Sequence, residues 1–173
     1  MPIGIGITNL VFTFIGLRLI DKLGRRTLLY IGSFGYIASL GVCSLAFFSK
    51  DYGWNLLPRI SESTSFEAVL IPISIFAFIA AHAVGQGAVI WVFISEIFPN
   101  RFRSQGQSLG SFTHWIFAAI LANSFPSMAR NLLPGYIFLF FCGMMCLQLI
   151  WVYFFVPETK GRSLEQISEE LEK

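Results

Sequence analysis

Charge is scarce in this chain. Asp, Glu, Lys and Arg together make up 13% of its 173 residues, where a soluble domain carries about a quarter. That shortage excludes an ordinary water-soluble fold, because too few polar side chains remain to cover so small a domain. Cysteine is scarce as well. Cys43, Cys142 and Cys146 are odd in number, sit inside apolar runs and have no Cys-x-x-Cys or His partner, which argues against a disulfide framework or a zinc site. They read as small packing residues, and neither a metal nor a cofactor is expected. The net charge of +2 is too small to suggest nucleic-acid binding. Met1 leads directly into apolar sequence without a basic stretch, so no cleavable signal peptide is expected. A membrane enzyme acting on lipid or polyprenyl substrates would want carboxylates or His at Asp-x-x-x-Asp or His-x-x-x-x-Asp spacing. Neither spacing occurs, and no enzymatic activity is expected.

Apolar sequence is abundant instead. Apolar residues reach 55%, with 19 Phe, and the mean hydropathy is +0.68. A helix needs about 20 apolar residues to cross the hydrocarbon core. Five segments, residues 3–20, 28–48, 69–94, 108–128 and 136–156, have that character, so the lipid bilayer is the expected surrounding. The first is the shortest and carries Arg18 near its end. Nine of the 12 Lys and Arg fall at the end of span one or just after it, after span three, or in the tail at 157–173. Basic residues favour the cytoplasmic side, which predicts a cytoplasmic C-terminus and an N-terminus outside.

Several polar groups sit at membrane depth, where an unpaired one is costly: Asn9, His82, Gln86, His114 and Gln148. Each reads either as functional or as interhelical glue. His82 and Gln86 lie one turn apart and share a face. Gly85 and Gly87 fall in mid-span, ahead of Trp91. Paired glycines allow a bend and equally allow close packing, as Gly35/Ser39 and Gly106/Gly110 do in small-xxx-small pairs. Trp91 lies deeper than an interfacial belt residue would, and its ring could stack on the C–H face of a sugar.

The charged turns carry the remaining information. Asp21-Lys22-Leu23-Gly24-Arg25-Arg26 links spans one and two, and Glu96 and Pro99 precede Arg101 and Arg103. Arg25, Arg26 and Arg103 are candidate partners for Glu96, in a latch that one conformation closes or as solvated topology signals. Ser163-Leu164-Glu165-Gln166 has the form of a capping box and predicts a short cytoplasmic helix under the spans.

Read together, Asp21-x-x-Gly24-Arg25-Arg26, Glu96-x-x-Pro99-x-x-x-Arg103 and Pro157-Glu158-Thr159-Lys160-Gly161-Arg162 resemble the signatures of the sugar porter family of the major facilitator superfamily. The resemblance covers essentially the whole chain and implies an all-α membrane protein whose five transmembrane helices correspond to spans eight to twelve of twelve. That is an incomplete C-terminal half, without span seven and the N-terminal half as partners. It implies transport of a monosaccharide by alternating access, facilitated or coupled to an ion, with protons as the candidate. Asn9, Trp91, His114 and the neighbouring Trp115 would contact the sugar. Asp21, Arg25, Arg26, Glu96, Arg103, Glu158 and Arg162 would form the cytoplasmic charge network. Gly85 and Gly87 would supply the bend of span ten in place of the family's prolines, and His114 puts an ionisable group where a neutral amide is frequent. The loops resemble bacterial ones, which implies the inner cell membrane. The alternative is a truncated membrane fragment or interaction protein that does not transport.

Overall fold

The computed structural model describes residues 2–53, 59–61, 64–99 and 101–161, with backbone alone at 59–61 and 64–65. The described chain is a bundle of long helices: α1 (Pro2–Leu23), α2 (Arg25–Tyr52), α3 (Phe66–His82), α4 (Ala88–Glu96), α5 (Arg103–Asn131) and α6 (Pro134–Phe155). A π turn, Ala83–Gly87, joins α3 to α4 without a break, so the two form one rod, Phe66–Glu96. A small antiparallel pair, β1 (Arg59–Ser61) with β2 (Thr64–Ser65), lies in the loop before α3. The predicted C-terminal helix and Arg162 lie outside the described residues.

The helices cover the five predicted spans and extend past most of their ends, because hydropathy marks the part that lipid surrounds while backbone hydrogen bonding carries a helix into its polar flanks. Four rods, Pro2–Leu23, Arg25–Tyr52, Phe66–Glu96 and Pro134–Phe155, are long and apolar enough to cross a membrane. The fifth, α5, has the length, at 29 residues. Its polar residues, among them Gln105, Gln107, His114, Asn123 and Ser124, leave it less apolar than the other four. That composition suits a helix that faces a polar path along one side.

The bundle is organised around α2, which packs chiefly against α6 and α3. Its buried positions, Leu28, Leu29, Gly32, Ser33, Tyr36, Ser39, Leu40 and Cys43, follow helical spacing. Serine is tolerated there because its hydroxyl finds a carbonyl. Ser33 donates to Leu29 O at 2.8 Å and Ser39 to Gly35 O at 2.7 Å. Ser44 reaches across to Gly135 O of α6 at 2.8 Å. Ile20, Leu28, Leu29, Val89, Phe93, Val152 and Val156 form the apolar cluster beneath the charged turns.

Small residues set the closest approach. A Cβ on Gly85 would lie 2.5 Å from Gly32 Cα, and one on Gly35 would lie 2.5 Å from Ala81 Cβ. Gly85 therefore sits in a π turn and lets two helix backbones touch. Such single-turn irregularities inside a helix recur at functional sites.

Candidate functional site

Two groups of side chains stand out, one at the charged end of the bundle and one beside the π turn. At the charged end the chain reverses on a single non-helical residue, Gly24, with φ of 91°. Only glycine adopts that backbone without strain. Its missing side chain also makes room for Glu158, whose Oε2 would be 2.5 Å from a Cβ there. The Glu158 carboxylate accepts from the backbone N–H groups of Arg25 at 2.9 Å and Arg26 at 3.1 Å, and from Lys160 N at 3.0 Å. It thereby caps the first turn of α2, where the helix dipole favours a negative charge.

Arg25 then turns its side chain toward α4. Its Nη2 and Nε donate to Glu96 Oε1 at 2.6 Å and Oε2 at 3.1 Å, a two-pronged fork that guanidinium geometry suits. Thr159 donates to the same Glu96 Oε2 at 2.6 Å, and Arg25 Nη1 reaches the Ile20 carbonyl at 3.4 Å. Asp21, 81% exposed, lies 3.5 Å from Arg25 and contributes little through solvent. Lys160 Nζ donates to Lys22 O at 2.5 Å. Four separate stretches, the end of α1, the start of α2, the end of α4 and the segment after α6, are thus tied at one point.

The expected partnership of Glu96 with Arg26 and Arg103 is not what the structure shows. Arg26 lies about 100° farther round α2, so its Nη2 donates to Tyr153 O on α6 at 2.7 Å instead. Arg103 makes no ion pair among the described residues, and its Nε and Nη2 are buried without an acceptor there. Both Glu96 oxygens are already engaged by Arg25 and Thr159. Glu158 pairs with backbone rather than with a guanidinium. Thr159, only 3% exposed, was missed by sequence reasoning. Its place next to Glu158 in the terminal signature was the available signal.

We expect Gly24→Ala to cost about 2 kcal/mol of stability, from the disfavoured backbone and the displaced cap. Thermal unfolding in detergent checks this, and a variant that melts with the wild type would show that the turn adapts.

Beside the π turn, Trp91 of α4 meets His114 of α5 edge to face, with ring centroids 5.1 Å apart. His114 in turn meets Trp115 at 5.4 Å. The trio is open, with Trp91 40% and Trp115 66% exposed. Asn9 lies on the exposed face of α1, and no hydrogen bond among the described residues ties it to the trio. Gly85 and Gly87, by contrast, directly adjoin the α4 turn that presents Trp91. On the inner side of the rod, His82 Nδ1 and the Tyr36 hydroxyl share a hydrogen bond of 2.5 Å. Periodicity picked out His82 and Gln86 but gave no sign of Tyr36. These three, with Ser39 and Ser74, line a cavity of about 500 Å³ whose other walls are apolar and which runs to Phe125 of α5 and Phe141 of α6.

The described parts of the three charged signatures, up to Gly161, occupy one end of the helical bundle. The family model described as "Sugar (and other) transporter" matches residues 1–171. The chain belongs to this sugar transporter family. Myo-inositol transporter 1 of Saccharomyces cerevisiae is 37% identical over 162 residues, which are 92% of this chain and 28% of that protein. Probable polyol transporter 6 of Arabidopsis thaliana is 33% identical over 96% of this chain and 32% of its own length. Among solved structures, the inward open xylose transporter XylE from E. coli matches with a TM-score of 0.79 at 30% identity, over 96% of this chain and 34% of that one. The proton:xylose symporter XylE bound to 6-bromo-6-deoxy-D-glucose gives 0.82 at 29% identity, over 99% and 34%. The chain therefore spans about a third of the length of these sugar transporter relatives. It is an integral membrane protein with the helical architecture of a major facilitator fragment.

Proposed function

We propose that this chain is part of a secondary transporter that moves a monosaccharide across the cell membrane by alternating access, with its charged end in the cytoplasm. The observation that carries the reading is the open trio of Trp91, His114 and Trp115, held beside a π turn in a sugar transporter chain. A sugar ring offers an apolar C–H face and a rim of hydroxyls. Trp91 covers the face, while His114 and the exposed Asn9 exchange hydrogen bonds with the hydroxyls in place of water. Relatives named for myo-inositol, polyols and xylose share that chemistry of closely spaced hydroxyls.

The Arg25–Glu96–Thr159 contacts and the Glu158 cap hold the cytoplasmic ends of four segments together, which suits a latch that one state of the cycle keeps closed. The cavity between α2, α3, α5 and α6 takes a helix from outside this chain, supplied by the remaining two thirds of a transporter of the relatives' length. Protons are the coupling ion favoured by the likeness to a proton:xylose symporter, and the groups that carry them would lie in that other part.

In a full-length transporter carrying this chain, Trp91→Ala is expected to weaken apparent sugar affinity about tenfold, or ~1.4 kcal/mol. His114→Gln, which keeps a hydrogen-bonding side chain, is expected to transport at near wild-type rates. Uptake assays with expression controls measure both, and unchanged affinity in Trp91→Ala would remove Trp91 from the sugar site. The purified chain alone, reconstituted in liposomes, is expected to give uptake no faster than empty vesicles. Faster uptake would instead mean that these helices suffice.

A further inference from the structure

On the far side of the α2–α6 seam from the large cavity runs a second groove, of about 530 Å³, lined by Tyr30 and Phe34 of α2 and by Leu149, Ile150, Tyr153 and Phe154 of α6. Tyr30 and Phe34 are one turn apart, as are Leu149/Tyr153 and Ile150/Phe154, so the groove follows the helix axes. It is open and apolar, with Phe34 61%, Ile150 53% and Phe154 70% exposed. At its charged end stands Arg26, whose guanidinium lies 5.7 Å from the Tyr30 ring centroid, a cation–π distance. The same guanidinium donates Nη2 to Tyr153 O, which holds it over the mouth between the two tyrosines.

Among the described residues no carboxylate lies within ion-pair distance of the Arg26 side chain, and the two ion pairs found there both belong to Arg25. Glu158, the nearest acid in the hydrogen-bond network, meets Arg26 only at the backbone N–H. A lone, fixed cation at the end of an axial apolar groove is complementary to a molecule with one anionic head and a long apolar tail.

We propose that this groove binds an anionic phospholipid of the cytoplasmic leaflet, its phosphate at Arg26 and one acyl chain along Phe34, Leu149 and Ile150. The site rests on the orientation given above, which places Arg26 at the cytoplasmic surface, where anionic lipids concentrate and a single Lys or Arg near the surface is worth about fivefold in binding. Neither the sugar trio nor the large cavity takes part, so the lipid has its own determinants.

Native mass spectrometry of the full-length protein bearing this chain provides the test. The protein would be exchanged into mixed micelles holding equal phosphatidylglycerol and phosphatidylcholine with identical acyl chains. Wild type is expected to retain the anionic lipid about fivefold over the neutral one, and Arg26→Gln is expected to retain the two equally. Arg26→Lys keeps the charge and is expected to keep most of the preference. Ile150→Trp, which fills the groove and leaves Arg26 in place, is expected to lose retained lipid of both kinds. Equal retention by wild type, an undiminished preference in Arg26→Gln, or unchanged lipid in Ile150→Trp would each overturn the proposal. Should Arg26→Gln not fold, Ile150→Trp and Arg26→Lys decide the matter. Lipid retention is read without transport, so loss or absence of sugar uptake leaves this result standing on its own.

Discussion

Gly85→Val is expected to be among the most damaging single substitutions in the bundle, lowering stability by about 3 kcal/mol. The first atom of any side chain at this position would meet Gly32 Cα at 2.5 Å, with Gly32 N and Leu28 O both at 3.1 Å. Those neighbours are backbone atoms of α2, so no side chain can rotate away. The rods must separate, and the apolar cluster around Leu28 and Val89 loses its contacts as they do. Valine also carries two heavy atoms on Cβ, which restricts its rotamers in a helix. Alanine at the same position is expected to cost less, about 1 kcal/mol, because a smaller separation relieves it. Gly32→Ala would block the same crossing from the other side, with its Cβ 2.9 Å from Gly85 Cα. The double variant Gly32→Ala/Gly85→Ala is therefore expected to cost less than the sum of its parts. Thermal unfolding followed by circular dichroism in detergent measures all of these. A Gly85→Val protein that unfolds at the wild-type temperature would show that the crossing is looser than these distances imply.

Arg25→Ala is expected to cost about 2–3 kcal/mol. Removing one member of a buried ion pair strands the other and costs about 3–5 kcal/mol, but here the side chains are 13% and 21% exposed. Water reaches them in part, which lowers the figure. Glu96 would keep only the Thr159 hydroxyl. Arg25→Lys is expected to recover less than half of the loss, because an ammonium cannot repeat the fork to both oxygens. The cleanest measurement is a double-mutant cycle with Arg25→Ala and Glu96→Gln. A coupling of about 1.5 kcal/mol or more is expected, and a value under about 0.5 kcal/mol would mean the pair behaves as a surface salt bridge. Thr159→Val is a smaller companion, at about 1.5 kcal/mol for one hydrogen bond to a charged group. In a transporter, weakening this junction is expected to free the cytoplasmic ends of the helices from one another.

The two sites were not equally legible in advance. The charged residues announced themselves because lipid tolerates so few of them, and their clustering along the chain showed which helix ends lie together. Partner choice was another matter. Arg25 and Arg26 are neighbours in sequence, yet one turns to α4 and the other to α6, because adjacent helix positions differ by about 100°. Glu158, placed in the charge network by the resemblance, caps two backbone N–H groups. That role needs the turn at Gly24 to bring the start of α2 against a segment more than 130 residues away. The mid-span glycines fit either a bend or a contact by sequence, and the structure uses Gly85 as a contact within a π turn.

What sequence alone determined is everything that depends on local, additive properties. The long apolar runs, their order, the uneven placement of Lys and Arg and the three signatures are read residue by residue, and they led to the membrane, to the helices and to the family. What tertiary structure decided depends on how the helices are rotated and how near they come. The Tyr36–His82 bond, the lack of an acceptor for Arg103 among the described residues and the apolar groove beside Arg26 all arise where residues of different helices meet. Hydropathy cannot rank such meetings, because most faces of these helices are apolar enough to satisfy it. The choice among faces falls to small residues such as Gly32, Gly35 and Gly85, whose missing atoms fix which backbones can touch.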